Sequence, residues 1–164
     1  MKSKYKISLI KLKRERFALF YKWWNDPALR KLTSESNKKI SRNEINEILN
    51  KHLLNKNGFD FIITANKKPI GHILIQKKKG KKNFEIYIAI GDKRYWDKGI
   101  GTIAIQKAVR WFFINFKNKK TIELEVLVNN IRAIKCYEGV GFKKVRTIHS
   151  KKYSDTFLMR KFKE

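Results

Sequence analysis

The chain has 164 residues, with 40 Lys and Arg against 14 Asp and Glu, giving a formal charge of +26 at pH 7 with three His neutral. At 42% hydrophobic and 13% aromatic, with only two Pro and eight Gly, it can bury roughly 70% of its unfolded surface. That excludes disorder for the bulk of the chain and predicts one domain over residues 1–164. One cysteine, Cys136, excludes a disulfide framework and any multi-cysteine zinc site. No apolar run approaches the ~18 residues of a membrane span. The basic N-terminal stretch leads into no signal-type apolar core, so a cytoplasmic protein is expected.

The charge has a sharp reading and a plain one. A polyanion partner, nucleic acid or ribosome, is the sharp reading. However, the cations are 31 Lys and only nine Arg, scattered along the whole chain. Specific nucleic-acid readers lean on the planar, bidentate guanidinium, so the excess reads as composition more than as a site.

In chain order, residues 5–11 alternate as a first strand. Phe17, Leu19, Phe20, Trp23 and Trp24 then mark a helix that Asn25-Asp26-Pro27 interrupts. Residues 28–34 read as a short helix or turn. Ser41 and Glu44 form a capping-box pattern ahead of Ile45, Ile48, Leu49 and Leu53, which predicts a helix over about 42–55. Three β-type runs follow, at 59–65, 69–77 and 84–91, with short connections that predict an antiparallel meander. A helix of about 99–116, a strand of about 121–128, a helix from Asn129-Asn130 to Gly139–Gly141 and strands of about 142–149 and 154–162 complete the chain. The expectation is a single α/β (α+β) domain, a mixed sheet of about seven strands flanked by about four helices. The fourth and fifth strands, joined through a helix, should be parallel and right-handed.

Between the fourth strand and its helix lies Trp96-Asp97-Lys98-Gly99-Ile100-Gly101-Thr102. Two glycines let backbone approach a ligand closely. A helix start offers unpaired N–H groups and a positive dipole end, which together suit a pyrophosphate. Lys93, Arg94 and Lys98 add charge around it, with Arg132 and Lys135 further on. No Walker A Gly-Lys-Ser/Thr is present, and a dinucleotide fingerprint fails at Ala104. The plain alternative is a tight strand-to-helix turn.

The second motif is Asn130-x-Arg132-Ala133-x-Lys135-x-Tyr137-x-x-x-Gly141-Phe142. With both motifs in order, the sequence resembles the GNAT superfamily of acetyl-CoA-dependent N-acetyltransferases. The similarity is greatest to the branch of ribosomal-protein N-terminal acetyltransferases. The superfamily cradle is Gln/Arg-x-x-Gly-x-Gly/Ala; here Trp96 stands at the Gln/Arg position, and Tyr95-Trp96-Asp97-Lys98-Gly99 departs from that branch's Tyr-Trp-Gly-Lys-Gly only at Asp97. The later pattern, Asn-x-x-Ala-x-x-x-Tyr-x-x-x-Gly-Phe, is met at Asn130, Ala133, Tyr137, Gly141 and Phe142. Residues 59–164 carry the resemblance and the first two helices fit it more loosely.

The resemblance implies acetyl-CoA as cosubstrate, no metal, and splayed fourth and fifth strands between which the pantetheine arm lies like an added strand, near Ile88, Ala89 and Ile90. A backbone N–H there would meet the oxyanion. It implies Asn130 on the CoA arm and Tyr137 as the acid for the departing thiolate; a core aromatic is the alternative for Tyr137. Only ~0.1% of an alkylammonium is free amine at pH 7, so a base is needed. Relatives often carry a Glu at the Glu85 position, which makes Glu85 the candidate. Glu123 and Glu125 share a face of the next strand and are runners-up. A solvent-facing residue paired with a lysine is the plain alternative for Glu85. Asp97 should point outward or cap the helix, Cys136 reads as a small buried residue, and His52, His72 and His149 are given no role.

The acceptor pocket is expected from the first two helices, their loop and the chain end, with Trp23, Trp24, Asp26, Arg30, Tyr153 and Asp155 as candidates beside Asn25. Asp26, Glu35, Asp92 and Asp155 would make only a modest acidic pocket. A protein N-terminus or an amino sugar carried on a nucleotide suits a +26 protein better than a polycation. Aminoglycoside or polyamine acetylation is one alternative, and an inactive RNA- or ribosome-binding module on the same fold is the other. A monomer or homodimer with no membrane partner and no functional nucleic-acid partner is expected.

Overall fold

The computed structural model describes residues 4–33, 38–77, 80, 82–151 and 154–164. Tyr153 and Glu35 lie outside them. Seven strands form one sheet in the order β1-β2-β3-β4-β5-β7-β6. They are β1 (Ile7–Lys11), β2 (Gly58–Ala65), β3 (Lys68–Gln76), β4 (Phe84–Ile90), β5 (Thr121–Leu127), β6 (Lys143–Ile148) and β7 (Thr156–Phe162). The helices are α1 (Phe17–Trp24), α2 (Pro27–Thr33), α3 (Arg42–Leu54), α4 (Ile100–Asn115) and α5 (Ile131–Gly139), with single 3-10 turns at Arg14–Arg16 and Lys93–Tyr95. Where about four helices were expected, there are five among the described residues. The extra one is α2, which the sequence left as helix or turn. Proline at its first position needs no hydrogen-bond partner, and the Asp26 carboxylate accepts from the N–H groups of Ala28 and Leu29 at 2.9 and 3.2 Å.

Every strand pair is antiparallel except β4 and β5, which are parallel. That pairing is short: Phe84 faces Ile122 and Glu85 faces Glu123, and no further residues of β4 and β5 are in register. β4 meanwhile stays paired to β3 out to Ile90. The sheet therefore forks, and from Ile86 onward one backbone edge of β4 has no β5 partner.

The alternation of β2 explains the two cores. Ile63 and Ala65 join the cluster built around Ile100, Ile105 and Phe112 of α4, while Ile62, the residue before Ile63, joins Phe20, Trp23, Leu29, Ile45 and Leu49 of α1, α2 and α3. Period-two side chains necessarily face opposite sides, so helices cover both. α3 opens as expected: the Ser41 hydroxyl accepts from the Glu44 N–H, and the Glu44 carboxylate accepts from the Ser41 N–H.

Candidate active site

The fork opens into a cavity of about 670 Å³. Its walls are Leu29, Leu32 and Thr33 of α2, Ile86–Ile90 of β4, Tyr95, Trp96 and Asp97, the first turn of α4 from Gly99 to Thr102, Glu125–Leu127 of β5, Thr156, and Asn130, Arg132, Ala133, Lys135, Cys136 and Tyr137 at the start of and along α5. The two motifs, separated in sequence by most of α4 and all of β5, meet here because β5 carries the chain from the end of α4 back alongside β4.

The start of α4 exposes uncapped backbone N–H groups to the cavity. Gly99 holds φ at +67° as the N-cap residue, a left-handed conformation that suits glycine, and no side chain caps the helix. The first-turn N–H groups are thus left to a ligand. Trp96 is fixed by its indole N–H donating to the Ile90 carbonyl at 2.7 Å. The Arg132 guanidinium lies over the Trp96 ring, 4.1 Å from its centre, and its Nη1 is 3.6 Å from the Asp97 carboxylate. Asp97 is 72% exposed.

Of the five basic residues expected around the cradle, Arg132 and Lys135 line the cavity. Lys93 instead pairs with Asp26 at 2.9 Å. Burial alone would raise Asp26, but Lys93 and the Leu29 and Ala28 N–H groups hold its carboxyl below the ordinary range. Arg94 pairs with Asp92 at 2.7 Å, and Lys98 donates to the Arg94 carbonyl. Asn130 is engaged from both ends of its amide: the oxygen accepts from the Ala133 N–H at 3.2 Å, capping α5, and the nitrogen donates to the Leu32 carbonyl at 3.2 Å, tying α2 to the cavity floor.

Tyr137 is 8% exposed and its ring packs against Phe142, 6.1 Å between centres. Burial, with Cys136 adding, pushes its phenol well above the ordinary value. Burial also raises the Cys136 thiol, partly offset by the Thr102 hydroxyl 3.3 Å away. A thiol held protonated is a poor nucleophile.

Glu85 does not line the cavity. It is 2% exposed, which also departs from the solvent-facing alternative, and it accepts from the Tyr87 hydroxyl at 3.4 Å. Tyr87 does reach the cavity. Glu123 is held by Arg160 at 2.6 Å and by Asn83 at 2.9 Å. Glu125 is the acidic residue of β5 that lines the cavity.

The acceptor-side candidates also fall elsewhere. Trp23 is core: a side chain at Gly91 would collide with its ring. Trp24 donates from its indole N–H to His72 Nε2 at 3.1 Å. Asp26 caps α2, Arg30 donates to the Lys38 carbonyl at 2.6 Å, and Asp155 accepts from the Ser150 N–H and contacts His149. None of these five lines the cavity. The α2 residues that do, Leu29, Leu32 and Thr33, were not singled out; their 3–4 spacing was a usable signal.

A family model, the acetyltransferase (GNAT) domain, matches residues 6–143. The chain belongs to this family. It is 41% identical over 64 residues to an uncharacterized protein of Methanocaldococcus jannaschii, a stretch that covers 39% of this chain but only 13% of that relative. Its fold is similar to spermidine N-acetyltransferase of Vibrio cholerae in complex with CoA and spermine, at 23% identity, 95% coverage of both chains and a TM-score of 0.81. It is similar as well to aminoglycoside acetyltransferase AAC(6')-Ib in complex with coenzyme A, at 20% identity, 96% and 95% coverage and a TM-score of 0.83. Among the described residues no group of three or more potential metal-ligating side chains is assembled, and no helix is long and apolar enough to cross a membrane.

Proposed function

We propose that the chain transfers the acetyl group of acetyl-CoA to a primary amine by direct attack in a ternary complex. The observation that carries this reading is one cavity holding an uncapped helix start, an unpaired β4 edge and a buried tyrosine. The first supports binding of phosphate groups, with Arg132 and Lys135 beside it. The second offers backbone partners to an extended, amide-bearing arm at Ile88, Ala89 and Ile90, and an N–H toward charge developing on the thioester oxygen.

In the reaction the amine nitrogen forms a bond to the carbonyl carbon, the carbon–sulfur bond breaks, the amine loses a proton and the sulfur gains one. Glu125, the acidic residue of β5 that lines the cavity, takes the amine proton directly or through a water. Glu85 acts through Tyr87, whose hydroxyl it holds. Tyr137 meets the departing sulfur. Because burial holds its phenol neutral, Tyr137 is first a hydrogen-bond donor to the developing thiolate and then its proton source.

Two acceptor classes are supported. A protein N-terminus, as in the ribosomal-protein branch, or an amino sugar on a nucleotide fits a chain of +26. A polyamine or aminoglycoside fits the fold neighbours, which are complexes with spermine and of an aminoglycoside enzyme. The test is thiol release from acetyl-CoA across a panel of peptides, nucleotide-linked amino sugars, spermidine and kanamycin. Turnover well above background with any of them supports acetyl transfer, and the best substrate assigns the class. Absence of both amine-dependent thiol release and CoA binding overturns it.

A further inference from the structure

The cradle carries its own anion. Asp97 has φ +56°, a conformation that aspartate visits at some cost and glycine at none. Its carboxylate reaches Arg132, which is at the same time laid over Trp96. All three line the cavity beside the uncapped start of α4.

We propose that Asp97 is an internal counter-anion. It holds Arg132 over Trp96 while the cradle is empty, and yields the guanidinium to the phosphate groups of the cosubstrate. Asp97 thereby sets the affinity for CoA. This rests on the reading of the cavity as a CoA site. An exposed pair at 3.6 Å is weak, whereas a guanidinium on phosphate makes paired, charge-assisted hydrogen bonds, so the exchange runs toward the ligand. It still costs affinity, because Arg132 must leave one partner before meeting the other. Lys93, Arg94 and Lys98 are engaged with protein partners, which leaves Arg132 and Lys135 as the cavity-lining cations that this contact can tune.

The test is calorimetric titration of CoA into wild type, Asp97→Asn, Arg132→Gln and the double variant. Asp97→Gly, matched to the backbone, serves as a second form should the first fold poorly. The expected result is Kd lowered about threefold to fivefold by Asp97→Asn, raised by Arg132→Gln, and unmoved by Asp97→Asn in the Arg132→Gln background. Equal tightening in both backgrounds would mean plain charge repulsion and overturn the proposal, as would no tightening. Failure of CoA to bind wild type would overturn the underlying reading and this proposal with it.

Discussion

Tyr137 is shielded on one side by Phe142 and open to the cavity on the other, so removing its hydroxyl changes chemistry more than packing. Tyr137→Phe should lower kcat by about 10²-fold, the usual worth of a positioned acid, and leave the CoA Kd within twofold by titration. The carboxylates separate in the same way. Glu125→Gln should cut kcat/KM for the amine by about 10²-fold. Glu85→Gln, away from the cavity wall, should cost less than tenfold; the reverse ranking in steady-state kinetics would make Glu85 the base. At this scale the sequence was readable where a motif names the residue. Gly99, Asn130 and Tyr137 fall in the cavity wall because their spacing reflects one strand–turn–helix frame. It was unreadable where partners decide: nothing local says that Lys93 will be taken by Asp26, or that Glu85 of β4 will be buried while Glu125, two residues past Glu123, lines the cavity.

At the scale of elements, the strands were legible because alternation survives in every one that has two differently covered faces. The helix-capping signal at Ser41 was also local and is present as bonds; Asn130 caps α5 by accepting from the Ala133 N–H. α2 was less legible, since seven residues interrupted by no periodic repeat can close a turn or a helix. The fork was not legible from composition or period at all. It depends on how far β4 and β5 stay in register, a property of the packing of α4 and α5 on one face and α2 on the other. Ser41→Ala tests one such element away from the cavity. It removes one partner of the capping box and should cost about 1 kcal/mol, seen as a Tm lower by roughly 2–4 °C for a domain of this size, with the CoA Kd unchanged.

For the whole molecule, buried titratable groups tie stability to pH. His72 of β3 packs against Phe20 of α1, ring centres 4.8 Å apart and planes tilted by 52°. Its Nδ1 has no hydrogen-bond partner among the described residues. Burial lowers its pKa to about 4; the Asp60 charge works the other way and the His52 charge adds to the depression. Above the unfolded value of 6.5 the ring is neutral in both states and contributes no pH dependence. As pH falls from 6.5 toward 4 only the unfolded chain takes up the proton, so stability should drop by about 2–3 kcal/mol in that window and level off below it. Urea midpoints at pH 7 and 4.5 check this. His72→Gln, which keeps an acceptor for the Trp24 indole, should flatten the difference, and an unchanged slope would exclude His72 as its source. The +26 charge bears on the molecule in a similar diffuse way. It adds a field that attracts an anionic cosubstrate, which 0.5 M salt should weaken, while the site itself needs only a few cations.

The cavity at the β4–β5 fork is proposed to pass acetyl from CoA to an amine with Tyr137 as the proton donor. The most direct measurement is thiol release from acetyl-CoA, followed with the best amine of the panel for wild type and Tyr137→Phe at matched, saturating acetyl-CoA. The expected result is amine-dependent release by wild type and about 10²-fold slower release by the variant, which still binds CoA. Equal rates, or release that does not depend on the amine, would contradict it.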